Sequence, residues 1–292
     1  MGIVLKTDIE GIRLVGRGKV RDIYEIKGYY LIVTTDRISA FDVILPNGIP
    51  NKGYVLTQLS KFWFEKTAAI VDNHLITTDI GEMPDICKKY RDILEGRSML
   101  VKKAESLPVE CVVRGYLAGS GWKDYQKTGC ICDVKLEKGL VRSQKLSTPI
   151  FTPATKAELG KHDENIGFDH VKNMTGKETA SKIYKYSMDI YNMASNLAEK
   201  KNIIIADTKM EFGIVNNGII LIDEVLTPDS SRFWYKNSYK PGEEQKSMDK
   251  QFVRNYLETL DWDKTAPGPT LPADIVNQTS KRYMEIMETI IN

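Results

Sequence analysis

The sequence predicts an α+β fold in two lobes, residues 1–103 and 104–292, and three observations point to it. Residues 12–35 are short apolar runs divided by tight turns, the pattern of an antiparallel meander. Residues 202–232 hold a longer strand pair around Asn216-Asn217-Gly218, a strong hairpin signal. Residues 179–200 carry Ile183, Tyr186, Ile190, Met193 and Leu197 on one helical stripe. Residues 251–260 and 275–291 read as C-terminal helices on either side of Pro267-Gly268-Pro269.

In the first lobe the strands of residues 12–35 turn at Gly16-Arg17-Gly18 and at Lys27-Gly28. The two glycines of the first turn let a ligand approach the backbone, and Lys19 and Arg21 follow at once. The stretch suits a phosphate group, and equally a plain hairpin with exposed bases. It is not a Walker A loop, and Arg21 stands where the third glycine of G-x-G-x-x-G would be. The polar cluster at residues 35–42, with Asp36, Arg37 and Ser39, reads either as a site-lining loop or as a solvated turn. Residues 57–70 have helical spacing, and residues 97–103 read as a strand. Residues 102–107 then connect to the second lobe.

Pro108 starts the next strand, with Glu110 and Arg114 at alternating positions, followed by the small turn Gly119-Ser120-Gly121. A guanidinium fork beside a Ser-Gly turn suits an anion, whereas the plainer reading pairs Arg114 with Glu110. Residues 151–166 gather Lys156, Lys161, His162 and Asp163 with no helical or strand period, as either a surface linker or a substrate loop. On the strand that begins at Ile203, Asp207, Lys209 and Glu211 alternate onto one face. Register decides which acid Glu211 meets. A three-residue loop with Gly218 left-handed sets it opposite Asp223, and a two-residue Asn217-Gly218 loop sets it opposite Glu224. Facing like charges are destabilising unless a cation intervenes, and a hydrated divalent ion that also ligates phosphate fits that need. The plain alternative is a solvated face on an edge hairpin. Residues 228–232 then repeat the small polar theme, with Asp229 and Arg232.

Composition excludes several classes. With 41 basic and 39 acidic side chains the net charge is only +2, so nothing suggests a nucleic-acid partner. No apolar stretch approaches membrane-spanning length, and the first residues lack the form of a signal peptide. Four cysteines without a C-x-x-C pair, among three histidines, argue against a zinc site and for reduced thiols in the cytoplasm. A monomer is favoured, with the oligomeric state left open.

Two long motifs, LPVECVVRGYLAGS at residues 107–120 and IADTKMEFG at residues 205–213, make the chain resemble the SAICAR synthetase family. GRGKVRDIY, TTDRISAFD, FTPATKAELGKHDENI and DEVLTPDSSRFW support the match across nearly the whole chain. The resemblance implies an antiparallel β lobe over a larger α+β lobe, related to ATP-grasp and protein-kinase architectures. It implies an ATP-dependent ligase with magnesium, joining carboxyaminoimidazole ribonucleotide to L-aspartate. By the same resemblance, Lys19 beneath Gly16, Arg17 and Gly18, with Arg21, meets the ATP phosphates. Lys102, Lys103, Ala104 and Glu105 meet adenine, and Glu211 and Asp223 hold magnesium. Arg114, Ser120 and Arg232 grip the ribonucleotide, with Asp207, Lys209 and Asp229 near the reacting end. Lys156, His162 and Asp163, and also Asp36, Arg37 and Ser39, are expected near the ribonucleotide or aspartate, with His162 as the base.

Two other classes compete. A kinase-like phosphotransferase would need an H-R-D-type loop and D-F-G, and the chain has neither. A nucleotide-binding regulatory module without catalysis predicts loss of the metal acids, yet Glu211 and Asp223 are present.

Overall fold

The computed structural model describes residues 2–156 and 164–292. The meander forms as its turn chemistry dictates: β1 (Arg13–Arg17), β2 (Arg21–Ile26) and β3 (Tyr29–Thr34) pair in antiparallel order. The first turn falls at residues 18–20, later than the glycine pair suggests. Gly16 stays in β1 because the ladder slips between Leu14 and Gly16. The polar cluster that follows is a strand and not a loop: β4 (Arg37–Ala40) pairs with β5 (Val43–Gly48) across Phe41 and Asp42, both left-handed. Helix α1 (Lys52–Thr67) begins earlier than its apolar spacing suggests. After β6 (Leu75–Thr77) and the short α2 (Asp85–Lys88) and α3 (Arg91–Leu94), β7 (Ser98–Lys102) completes a five-stranded sheet in the order β1-β2-β3-β7-β6.

Residues 103 and 104 lead straight into β8 (Glu105–Tyr116). Pro108 lies inside this strand rather than at its start. It is tolerated there because the ladder to the neighbouring strand slips between Glu211 and Gly213, so no amide is missed. Then come α4 (Gly119–Thr128), the β9 (Cys130–Ile131) and β10 (Val134–Lys135) hairpin, β11 (Lys145–Phe151) and β12 (Ala154–Thr155). Helices α5 (Phe168–Thr175) and α6 (Lys177–Lys200) precede β13 (Ile203–Val215), β14 (Gly218–Ile222) and β15 (Ser231–Tyr235). Helices α7 (Gln251–Leu257) and α8 (Ala273–Ile291) close the chain. The second sheet runs β11-β8-β13-β14, with β12 also on β8 and β15 on β13. Strand β13 is therefore its hub.

One apolar cluster spans both sheets. Leu59, Trp63 and Phe64 of α1 and Val109, Cys111 and Val113 of β8 lie in it with Met210 and Phe212 of β13. Burying each such side chain stabilises by about 1.5–3 kcal/mol. Helix α6 covers one face of the second sheet, where the Tyr191 hydroxyl donates to the Ile205 carbonyl (2.8 Å). Gly115 must be glycine there, since a Cβ would overlap that hydroxyl. A separate cluster packs Ile38, Leu45 and Ile49 of the β4–β5 region on Val253, Leu257 and Leu271. The far C-terminal segment thus buttresses the first hundred residues. Among the described residues no helix is long and apolar enough to cross a membrane.

Candidate active site

The face of the second sheet turned away from α6 carries the polar side chains. Asp207, Lys209 and Glu211 alternate along β13 as the period-2 pattern requires, and β8 sets Arg114 opposite Asp207 and Glu110 opposite Glu211. At one end, Asp207 Oδ2 accepts from Arg114 Nη1 (3.1 Å) and from Arg232 Nη1. Arg114 spreads further, with Nε on Thr152 Oγ1 (2.9 Å) and Nη2 on Ser120 Oγ (3.0 Å). The plain pairing of Arg114 with Glu110 is not what forms. Burial would push the Arg232 guanidinium down, but Asp207 and then Asp249 hold it above its ordinary value. Burial and the neighbouring Arg232 lower Arg114, with Asp207 opposing. Two guanidiniums share Asp207, so this end keeps a cationic surplus suited to an anion.

Gly119, Ser120 and Gly121 are not a free turn but the first turn of α4. Gly119 enters at φ +56°, and a Cβ there would collide with the Arg232 guanidinium. Gly121 is less crowded, a Cβ there coming to 3.0 Å from the Ile131 side chain and 3.1 Å from that of Arg114. The amide-rich end of a ten-residue helix therefore joins both arginines.

At the other end, Glu110 and Glu211 face each other across the ladder. The Lys209 ammonium bonds Glu110 and lies 3.4 Å from Glu211 Oε1, while Lys156 bonds Glu211 Oε2 and Ser106 Oγ (2.7 Å). Burial opposes the charged ammonium of Lys209, but Glu211 and Glu110 together hold it well above its ordinary value. Burial likewise disfavours the Glu211 carboxylate, and Lys209 and Lys156 outweigh that and depress it. Neither expected hairpin register occurs. Asn216 and Asn217 form a two-residue loop with φ of 49° and 65°, Val215 pairs with Gly218, and Glu211 lies opposite Ile222. Asn tolerates the left-handed region, so both loop positions are taken before Gly218 is reached.

Asp223 follows β14 at φ +63° and meets Arg21 Nη1 (2.5 Å), while Arg21 Nη2 meets Glu224 Oε1 (2.9 Å). Arg21 thus bridges the two sheets. Lys19 bonds Asp42, Arg17 bonds the Thr7 carbonyl, and Lys103 bonds Glu25 over the Tyr30 ring. Lys102 Nζ reaches the Asn73 carbonyl (3.4 Å), and Ala104 and Glu105 lie close against Gly213. A Cβ on Gly16 would meet nothing within 4 Å, so the space beside it is open. Among the described residues no three His, Cys, Asp or Glu groups converge as a metal cluster.

Other expected residues lie deeper. The Asp229 carboxylate, its side chain 3% exposed, meets Lys52 Nζ (2.9 Å), Lys250 Nζ (3.5 Å) and the Tyr283 hydroxyl (2.7 Å). Burial lowers the Lys250 ammonium to about 8, against the pull of Asp229. Asp36 accepts from the Val4 and Gly53 amides (2.8 and 2.9 Å) and from Arg97 Nη1 (2.9 Å). Arg37 and Ser39 are buried in β4. His162 and Asp163 lie outside the described residues. Lys52 and Lys250 belong to these clusters without any sequence signal, and Thr152 carries only that of the polar stretch 151–166. Glu110 and Lys209 are each visible in the sequence, but their pairing across β8 and β13 is not.

A family model described as SAICAR synthetase matches residues 14–269. A phosphoribosylaminoimidazole-succinocarboxamide synthase of Geobacter metallireducens is 62% identical over 285 residues, 98% of this chain and 96% of that protein. The structure of a Saccharomyces cerevisiae SAICAR synthase complexed with SAICAR superposes with a TM-score of 0.89 at 46% identity, covering 98% of this chain and 97% of the other. A type-2 SAICAR synthetase in complex with ADP matches with a TM-score of 0.70 at 25% identity, covering 94% and 97%.

Proposed function

The chain belongs to the SAICAR synthetase family, and on that premise we propose how its residues divide the chemistry. It is an ATP-dependent amide-forming ligase of purine biosynthesis. It joins the carboxylate of carboxyaminoimidazole ribonucleotide to the amine of L-aspartate, giving the succinocarboxamide, ADP and phosphate. The observation that carries the assignment of roles is the shared face of β8 and β13. Asp207 stands there between two guanidiniums, and Lys209 between two carboxylates.

A carboxylate acylates poorly because oxide is a poor leaving group. Its oxygen attacks the γ-phosphorus of ATP, the bond from that phosphorus to the bridging oxygen breaks, and ADP departs. The aspartate amine then attacks the acyl carbon, the bond from that carbon to the phosphate oxygen breaks, and phosphate leaves. The incoming ammonium must first lose a proton, and His162 is the proposed acceptor. Phosphoryl transfer needs positioning and charge neutralisation more than a protein nucleophile. Lys209 supplies charge at the transferring group, and Asp207 keeps Arg114 and Arg232 aimed at the ribonucleotide, with Ser120. Lys156, beside Glu211 and Ser106 at the other end, and Asp163 are the proposed contacts to the ribonucleotide or aspartate, and Asp229 acts through its cluster with Lys52, Lys250 and Tyr283.

Lys19 and the open space beside Gly16 take the ATP phosphates, flanked by Arg17, Gly18 and Arg21. The connection from Lys102 to Glu105 takes the adenine. Glu211 and Asp223 are the proposed magnesium ligands, both hard oxygen donors of the kind that ion takes. Each is held by a cation, Glu211 by Lys156 and Lys209 and Asp223 by Arg21, and among the described residues no three acids converge, so the ion would take its remaining ligands from phosphate and water. Magnesium bound there would screen the negative charge of the transferring phosphoryl group. Residues 1–103 would serve the nucleotide and residues 104–292 the ribonucleotide and aspartate, in a cytoplasmic monomer.

The test is ADP release from ATP, magnesium and carboxyaminoimidazole ribonucleotide, with and without L-aspartate. Release that needs both organic substrates, with the succinocarboxamide in equal amount, is the expected result. ADP formed without aspartate and with a phosphorylated hydroxyl product would instead mark a phosphotransferase.

A further inference from the structure

A single side chain braces residues 18–20, beside the proposed ATP-phosphate turn. The Arg37 guanidinium donates through Nη2 to the Gly18 carbonyl (2.9 Å) and through Nε to the Lys19 carbonyl (3.2 Å). Through Nη1 it reaches the Leu5 carbonyl (2.6 Å), and Nη2 also meets Asp22 Oδ1 (2.9 Å). Arg37 is 8% exposed and Asp22 wholly buried. Asp22 is fixed in turn by the Thr7 amide and hydroxyl (both 2.8 Å) and by Arg17 Nε (3.4 Å). The fork thus sits on a rigid base.

In a trans peptide the carbonyl and the following amide point in opposite directions. Drawing the Gly18 and Lys19 carbonyls inward therefore turns the Lys19 and Val20 N–H groups the other way. Among the described residues neither N–H donates to another group. Successive amides aimed to one side make a concave anion site. Without the fork, either carbonyl could swing toward the ligand and set a negative dipole against a phosphate.

We propose that Arg37 is a positioning residue for the nucleotide phosphates, holding residues 18–20 with carbonyls in and amides out. The inference rests on the reading of residues 16–19 as the phosphate turn. A lysine could replace it only in part, because one ammonium lacks the planar fork that serves several acceptors at once.

The experiment compares ADP with adenosine binding by calorimetry in the wild type, Arg37→Gln, Arg37→Lys and Lys19→Ala. Arg37→Gln is expected to weaken ADP about tenfold while adenosine binding and the KM for carboxyaminoimidazole ribonucleotide move less than about twofold. Arg37→Lys should fall between it and the wild type. Unchanged ADP binding in Arg37→Gln overturns the proposal, as does an equal loss for ADP and adenosine, which would make Arg37 mere scaffold. Lys19→Ala tells this failure from that of the underlying reading. If neither Lys19→Ala nor Arg37→Gln weakens ADP relative to adenosine, the turn does not meet phosphate and both fall. If Lys19→Ala weakens ADP and Arg37→Gln does not, only the role of Arg37 falls. Should Arg37→Gln fail to fold, Arg37→Lys keeps a charge beside Asp22 and carries the same comparison.

Discussion

Lys209 meets two needs with one ammonium. It separates Glu110 from Glu211, which would otherwise face each other across paired strands, and it presents charge on the open side of the sheet. Lys209→Ala should therefore lower kcat on the order of 10²–10³-fold, the scale of removing one preorganised donor. Steady-state kinetics checks this, and a wild-type rate would show that Lys209 serves the ladder alone. His74 tells a different story at the same scale. Burial pushes its imidazole from 6.5 down to about 4, Arg21 adding to the shift and Asp223 opposing it. As pH falls through 6.5 the unfolded chain takes up this proton while the folded chain refuses it until near 4. Stability is therefore unaffected above that window and declines within it, by about 3 kcal/mol at full extent. Urea titrations at pH 7 and pH 4.5 should show a smaller loss for His74→Gln than for the wild type, and equal losses would contradict the assignment.

At the scale of elements, β13 and its neighbours show what a sequence carries and what it withholds. The alternation of Asp207, Lys209 and Glu211 is local and legible, because a strand has a fixed period of two. The turn is less so. Asn217-Gly218 is the stronger hairpin signal, yet Asn216 and Asn217 take the two left-handed positions, and one residue of register moved Glu211 from an acid to Ile222. The cross-ladder acid proved to be Glu110, about a hundred residues away and outside the reach of any local pattern. The Gly119-Ser120-Gly121 stretch was legible as small and polar, but its helical start depends on packing against Arg232 and Arg114. Gly119→Ala should cost about 1–2 kcal/mol from the left-handed backbone alone. The added methyl should also push the Arg232 guanidinium away from the anion end and so raise the KM for the ribonucleotide about tenfold. Thermal unfolding and substrate titration read the two effects separately. A raised KM for ATP with an unchanged KM for the ribonucleotide would place this end of the sheet wrongly.

At the scale of the molecule, the two sheets are tied by polar bridges as much as by the shared core. Arg21 reaches from β2 to Asp223 and Glu224 beyond β14, and Asp229 draws α1, Lys250 and α8 together. The family and its α+β architecture were legible from long mixed motifs and from strand and helix periods. The packing of the β4–β5 hairpin on the C-terminal helices was not, because an apolar face does not name its partner. The proposed mechanism joins these parts through an acyl phosphate, on which every assigned role depends. The most direct test is turnover with ribonucleotide carrying heavy oxygen in its carboxylate, followed by mass analysis of the phosphate released. Phosphate bearing one heavy oxygen per turnover is the predicted result. Phosphate free of label would mean that the carboxylate oxygen never bonded phosphorus, and would contradict the mechanism and the roles built upon it.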